Sequence, residues 1–180
     1  MTDFALRDGQ SPTYGGSIAG LVGVTGDILT FTAPTTQGRI MKLTRLAVTA
    51  VATAATTINL TLLKRSTVDT AGTGAGVTTT PYNPRGPAAS TIVTSYTVAP
   101  TPGTIIGTAI RAAKFTLALT GTGQAVAQVW QFGDRAAEAP SLIGPPVGAV
   151  LVAQQICLAV DATVAGASYD IDFEFTEDLY

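Results

Sequence analysis

The chain has 180 residues, of which 12% are charged and none is histidine, whereas soluble domains usually contain roughly 25% charged residues. The missing histidine excludes Ser-His-Asp and Cys-His catalysis, and a single cysteine excludes a Cys/His zinc site. A net charge of −2 provides no basic field for nucleic acid or an anionic membrane. We therefore expect no enzyme, no metal or cofactor, and neither a nucleic-acid nor a membrane partner.

Residues 1–27 are predicted to form an extended arm. The stretch SPTYGGSIAGLVGVTG within them is too rich in glycine to pack as a core strand. Apolar residues spaced along the arm are expected to anchor it on a partner, with Phe4, Leu6 and Tyr14 as the candidates. Charged residues interrupt the first eight positions, where a signal peptide needs an apolar run, so we expect synthesis in a reducing cytoplasm.

Residues 28–180 alternate between apolar and polar side chains, as strands with one core face and one wet face do. The alternation is cleanest in YDIDFEFT at residues 169–176. The uncharged stretch from Leu46 to Leu63 contains threonines and alternates in its second half, so it predicts strands and no membrane span. Further strands are expected at 28–32, 40–52, 91–98, 104–110, 126–132 and 149–160, with a bulge near Arg45.

This pattern predicts an all-β protein: an antiparallel β-sandwich, specifically a jelly roll of eight or nine strands preceded by the arm. The two predicted domains are thus the arm (1–27) and the sandwich (28–180). Longer Gly/Pro-rich connections are expected at Asp69–Ser90 and Gly133–Gly148. Trp130 and the lone Cys157 lie on predicted strands, where core packing is the simpler interpretation; for Trp130 the alternative is a sugar platform.

Three carboxylates, Asp170, Asp172 and Glu174, share one face of the last predicted strand. Neighbours on one strand face are about 7 Å apart, which is too far for this row alone to hold one calcium ion. We interpret the row as a solvated or edge-protecting face. The alternative is that it forms interface charges that meet basic residues of a partner.

The low charge density predicts that much of the surface is covered in an assembly, because interface centres are depleted of charged residues. A resemblance agrees with this expectation. It lies in the runs TIVTSYTVAPTPGTIIGTAI and GASYDIDFEFTEDLY and in the order of segments over residues 28–180. In these features the chain resembles head decoration (cement) proteins of tailed bacteriophages. The resemblance implies a homotrimer of jelly-roll or related β-domains that stabilises the capsid by bridging adjacent major capsid protein subunits on the virion surface. It also implies that the arm reaches over neighbouring shell subunits.

Two alternatives remain open from the sequence. One is a tail, fibre or vertex component for host attachment, in which the two long loops would be recognition surfaces. The other is a carbohydrate-binding β-sandwich module.

Overall fold

The computed structural model describes residues 11–22, 24–35, 38–117, 125–133, 139–145, 153–161 and 167–179. These ranges contain twelve β-strands: β1 (Thr13–Val22), β2 (Gly26–Thr32), β3 (Arg39–Ala52), β4 (Thr56–Arg65), β5 (Thr73–Gly76), β6 (Thr80–Pro81), β7 (Ile92–Val98), β8 (Arg111–Leu117), β9 (Ala125–Gln131), β10 (Ser141–Ile143), β11 (Gln155–Val160) and β12 (Ala167–Leu179). Within this part of the chain, no helix has the length and apolarity needed to cross a membrane.

Eight of the strands form a jelly roll, and the strand order establishes it. The first sheet contains the order β9-β3-β12-β1, and the second contains β2-β11-β4-β8, with every pair antiparallel. In chain order the frame strands pair first with last and then inwards, as β1–β12, β2–β11, β3–β9 and β4–β8, which is the jelly-roll connectivity of two Greek keys. The predicted fold class is confirmed; the described strands exceed the predicted eight or nine because insertions add four more.

A long insertion, residues 66–110, lies between β4 and β8 and carries β5, β6 and β7. It covers one edge of the sandwich: β6 pairs with β1 in the first sheet, and β7 followed by β5 extends the second sheet beyond β2. Pairing of this kind removes exposed strand edges, which otherwise recruit other chains. The strand predicted at 104–110 is absent, since Gly103 and Gly107 interrupt a segment that makes only an isolated bridge.

The core lies between the two sheets, where an aromatic cluster occupies the centre. The ring of Phe31 on β2 meets Phe173 of β12 edge-on at 5.1 Å, and Phe175 stacks on Tyr14 of β1 at 5.3 Å. All four side chains are at most 1% exposed. The register of β12 on β3 shifts opposite Leu43 and Arg45, which is the bulge the sequence predicts.

The predicted arm requires a correction, because part of it belongs to the sheet. Thr13–Val22 is β1, which pairs with β12 along its length, and the Tyr14 side chain is fully buried. Glycine enrichment had argued against a core strand, but here the glycines make room for rings: a Cβ on Gly16 would overlap Phe173. Phe4 and Leu6 lie outside the described residues.

Gly16→Ala is expected to lower the free energy of unfolding by about 1–3 kcal/mol, because the added methyl group must displace a buried ring. The matched control is Gly76→Ala on the exposed edge strand β5, where an added Cβ meets nothing within 4 Å. Urea unfolding of both variants measures the difference. Equal stability of the two variants would contradict the close packing of β1 on β12.

Candidate assembly surface and the groove beside it

The insertion is almost free of charge. Between Asp69 and Arg111 the single charged residue is Arg85, and the side chains of 71–76 are all exposed. Threonine, alanine, glycine and proline make up most of this segment. A surface of this composition matches the charge-depleted centre of a protein interface better than it matches an ordinary wet surface.

Exposed aliphatic side chains concentrate on one part of the insertion, which we call the ribbon: residues 64–73 running antiparallel to residues 98–106. Its backbone contacts include the bridges Arg65–Ile105 and Thr70–Thr101 and the pairing of Thr73 with Val98. Four aliphatic residues of the ribbon are exposed to solvent: Val68 (37%), Val98 (54%), Ile105 (48%) and Ile106 (40%). Clustered exposed apolar groups of this kind mark interaction sites.

A buried ion network fastens the base of the ribbon to the second sheet. The Arg65 guanidinium donates to both Asp27 oxygens, at 2.6 Å and 2.8 Å, and to the carbonyl oxygen of Gly103 at 2.7 Å. The Asp69 carboxylate accepts from the Gly103 amide at 3.0 Å, and the Asp69 amide donates to Gln155 at 2.8 Å. Both strands of the ribbon are therefore tied to the jelly-roll frame by charge-assisted hydrogen bonds.

Asp69 carries an excess negative charge in this network. Burial raises the pKa of its carboxyl from 3.8 to about 6; the Gly103 amide opposes the rise, the Asp27 carboxylate adds to it, and Arg65 lowers it in turn. One arginine thus faces two buried carboxyl groups, and the fold favours the state in which Asp69 is protonated.

Asp27, Asp69 and Cys157 bring their oxygen and sulfur atoms within 4.8 Å of one another. This is the spacing of a metal site, but both Asp27 oxygens already accept hydrogen bonds from Arg65. The Cys157 thiol is fully buried, and burial raises its pKa far above the usual range, which keeps it protonated. We therefore interpret the cluster as a structural ion network, and Cys157 as the core residue that the sequence indicates.

A second buried carboxylate holds the middle of the insertion. Glu177 of β12 accepts hydrogen bonds from the Ser90 amide at 2.9 Å, the Ser90 hydroxyl at 3.0 Å and the Thr91 amide at 2.6 Å. Arg39 of β3 balances its charge at 3.0 Å. The insertion contributes backbone and hydroxyl donors to this contact, whereas the frame contributes both charges.

The acidic row lies where the sequence predicts it, on the solvent face of β12. Asp170 and Asp172 are exposed and Glu174 is half-buried. Asp170 accepts a hydrogen bond from the Gly20 amide at 2.7 Å, and Glu174 pairs with Arg45 at 3.5 Å. The row is therefore partly engaged within the protein, and its role as interface charge stays a prediction.

A groove of about 390 Å³ opens on this same face, beside the insertion. The frame lines it with residues of β1, β3 and β12, and the insertion contributes the opposite wall. The lining residues are Gly15, Gly16, Ser17, Arg45, Asp172, Phe173 and Glu174 from the frame and Thr78, Thr80 and Tyr82 from the insertion. This groove depends on the pairing of β6 with β1, which no sequence pattern predicted.

The other predicted site residues have structural positions. Tyr14 is inside the protein's own core, where its hydroxyl donates to the Pro87 carbonyl oxygen at 3.1 Å, so it does not reach a partner from an arm. Trp130 is 7% exposed and packs in the core, as its position on an alternating strand indicates. Sequence reasoning did not find the buried charges of the two networks, Asp27 with Arg65 and Glu177 with Arg39. A charged residue on a strand normally indicates a solvent-exposed face, so no local signal marked them.

No protein-family model matches the chain, and no curated protein matches it. Among solved structures, a chain in "Structure of deformed wing virus carrying the GFP gene" is 10% identical, and the match covers 92% of this chain and 76% of that one at a TM-score of 0.28. A TM-score this low does not establish a common fold. The jelly-roll assignment therefore rests on the strand order of the protein itself.

Asp69→Asn is expected to remove a pH dependence of stability. In the wild type, the raised pKa of Asp69 means that its stabilising contribution is complete below pH 3.8 and is lost as the pH rises through about 6. An asparagine keeps the acceptor for Gly103 and does not ionise, so the variant should equal the wild type near pH 4 and exceed it at pH 7 by a few kcal/mol, at about 1.4 kcal/mol per pKa unit.

Urea unfolding of the wild type and the variant at several pH values measures this difference. A variant that is less stable than the wild type at pH 7, with the same pH profile, would contradict the excess buried charge.

Proposed function

We propose that the protein is a virion structural subunit that decorates a bacteriophage capsid and stabilises it by bridging adjacent major capsid protein subunits. The observation that supports the proposal is the uncharged and partly apolar surface of the insertion, displayed on a jelly-roll frame. Such a surface gains free energy when a partner covers it, and it offers no group for chemistry. The proposal accordingly includes no enzymatic activity.

The ribbon is the part of the insertion that we assign to contacts between copies of the chain. Its aliphatic side chains suit a homo-oligomer, because interfaces between identical subunits are more apolar than transient ones. A homotrimer follows the resemblance to decoration proteins. The buried network of Asp27, Arg65 and Asp69 fixes the base of the ribbon before association, so little ordering entropy opposes binding.

Stabilisation of the capsid follows from linkage. A subunit that contacts two neighbouring shell proteins binds the assembled shell and not its separated parts, so it shifts the equilibrium towards the assembled state. We assign the contacts with the shell to the folded domain, because among the described residues Thr13–Val22 is a strand of the sheet and not a free arm. A deletion of residues 1–20 would consequently remove most of β1 and not merely an arm.

Charge introduced into the ribbon is expected to dissociate the oligomer. Val98→Asp and Ile105→Asp each place a carboxylate at an exposed aliphatic position, and we expect self-association to weaken by about tenfold or more. The control is Ile143→Asp on β10, which is 45% exposed and lies outside the ribbon. Sedimentation equilibrium at micromolar concentration measures all three against a trimeric wild type. A stable wild-type monomer, or a trimer indifferent to both ribbon substitutions, would overturn the self-contact.

Capsid decoration is tested separately with phage heads from which the protein has been removed. Adding the wild-type protein back should place copies between capsomers in particle images and raise the temperature at which the heads release DNA. Heads that bind no protein would refute the decoration role.

A further inference from the structure

We infer that the groove on the first sheet binds a saccharide, with Tyr82 as the aromatic platform. The inference goes beyond the proposed function, because the groove lies on the outer face of β1 and β12, whereas the assembly contacts are assigned to the ribbon. Its volume of about 390 Å³ falls in the range of small-molecule sites, roughly 300–1,000 Å³.

The position of Tyr82 is fixed by the backbone beneath it. Its amide donates to the Thr13 carbonyl oxygen at 2.9 Å, next to the pairing of β6 with β1. Its ring lies against Gly15, where an added Cβ would stand 2.8 Å from a ring carbon. The side chain nevertheless remains 58% exposed. Gly15 therefore allows an aromatic ring to rest on the sheet while presenting an open surface to the groove.

The hydroxyl end of Tyr82 lies near Glu174. Burial raises the pKa of this hydroxyl, and the neighbouring Glu174 carboxylate adds to the rise. Glu174 also pairs with Arg45 at 3.5 Å, which completes a connected row of polar groups along one wall. An exposed ring with a fixed position costs little entropy when a ligand packs on it.

The polar groups of the groove match a polyhydroxyl ligand. Arg45 donates, Asp172 accepts, and the hydroxyls of Ser17 and Thr80 do both. Asp172 is exposed and has no ion-pair partner among the residues that the structure describes. A sugar presents vicinal hydroxyls that donate and accept together with an apolar C–H face that packs on an aromatic ring.

The lining residues carry a net charge of −1, because Asp172 and Glu174 face one Arg45, and this charge suits a basic peptide. Arg45 pairs with Glu174, however, so a lysine or arginine side chain would meet a like charge in the groove. The volume favours a saccharide, since about 390 Å³ holds a sugar ring, whereas a single ammonium group would leave most of it filled with water. A cationic peptide is therefore the competing occupant that the experiment must distinguish.

The test uses the full-length protein on an array of neutral and acidic oligosaccharides from bacterial cell walls and capsules, followed by calorimetric titration of the saccharide that binds best. We expect Tyr82→Ala and Asp172→Asn each to weaken binding by about tenfold. Gly15→Ala should weaken it as well, because the new methyl group pushes the ring from its place without changing any charge. Tyr82→Phe keeps the ring and should stay within about threefold of the wild type.

Val129→Ala is the control, since this residue is 46% exposed on β9 and does not line the groove. Urea unfolding confirms that each variant is folded; Asp172→Asn alters an exposed side chain and keeps the test valid if Tyr82→Ala does not fold. The inference is overturned if the array retains no saccharide, or if binding is indifferent to both Asp172→Asn and Gly15→Ala. It is equally overturned if tetralysine binds in the groove more tightly than every saccharide and loses affinity in Asp172→Asn. None of these outcomes bears on trimer formation through the ribbon, so the two proposals fail separately.

Discussion

The structure depends on a few buried charges that join an uncharged insertion to a jelly-roll frame. Arg65 with Asp27 holds one end of the insertion, and Glu177 with Arg39 holds its middle. An insertion made of threonine, glycine, alanine and proline has little apolar surface with which to pack itself. Strand pairing satisfies many of its backbone donors, and at Ser90 and Thr91 the Glu177 carboxylate of the frame accepts from the backbone instead. Charge-assisted hydrogen bonds of this kind are the stronger ones.

This use of charge has a consequence for the surface. The chain has few ionisable side chains, and several of them are buried inside the protein, including Asp27, Arg65 and Glu177. The outside is consequently even less charged than the composition implies. A surface so poor in charge favours contact with other proteins, because little desolvation of ionised groups opposes association.

The two faces of the molecule offer different chemistry. The ribbon, tied to the second sheet by the Arg65 network, carries exposed aliphatic side chains suited to another protein surface. The first sheet carries a polar groove in which one aromatic ring lies beside acceptors and donors. Both surfaces exist because the insertion adds strands to both sheets, so one segment of the chain creates the assembly surface and completes the groove. A subunit built in this way presents an apolar surface for a protein partner on one part of the molecule and a polar groove on another.

Glycine in β1 shows why local pattern was insufficient there. Gly15 and Gly16 lower the strand propensity of their segment, and the sequence therefore predicted an arm. In the folded protein, Tyr82 covers one of these glycines and Phe173 fills the space over the other. The partners come from positions far along the chain, so only the folded arrangement explains why a side chain is missing at each place.

The amino-acid sequence by itself determined the fold class and most of the strands, because alternation with period two, as in Tyr169–Phe175, is a local property of a half-buried strand. It also determined the bulge near Arg45 and the burial of Trp130, which follow from the same alternation, and the burial of Cys157, which follows from its place in an apolar strand. Only the tertiary structure decided that β1 belongs to the sheet, that Arg65 and Glu177 are buried, and that Tyr82 meets the acidic row. Each of these features brings together residues that are distant in sequence. Their stability comes from tertiary contacts, which a local sequence pattern does not contain.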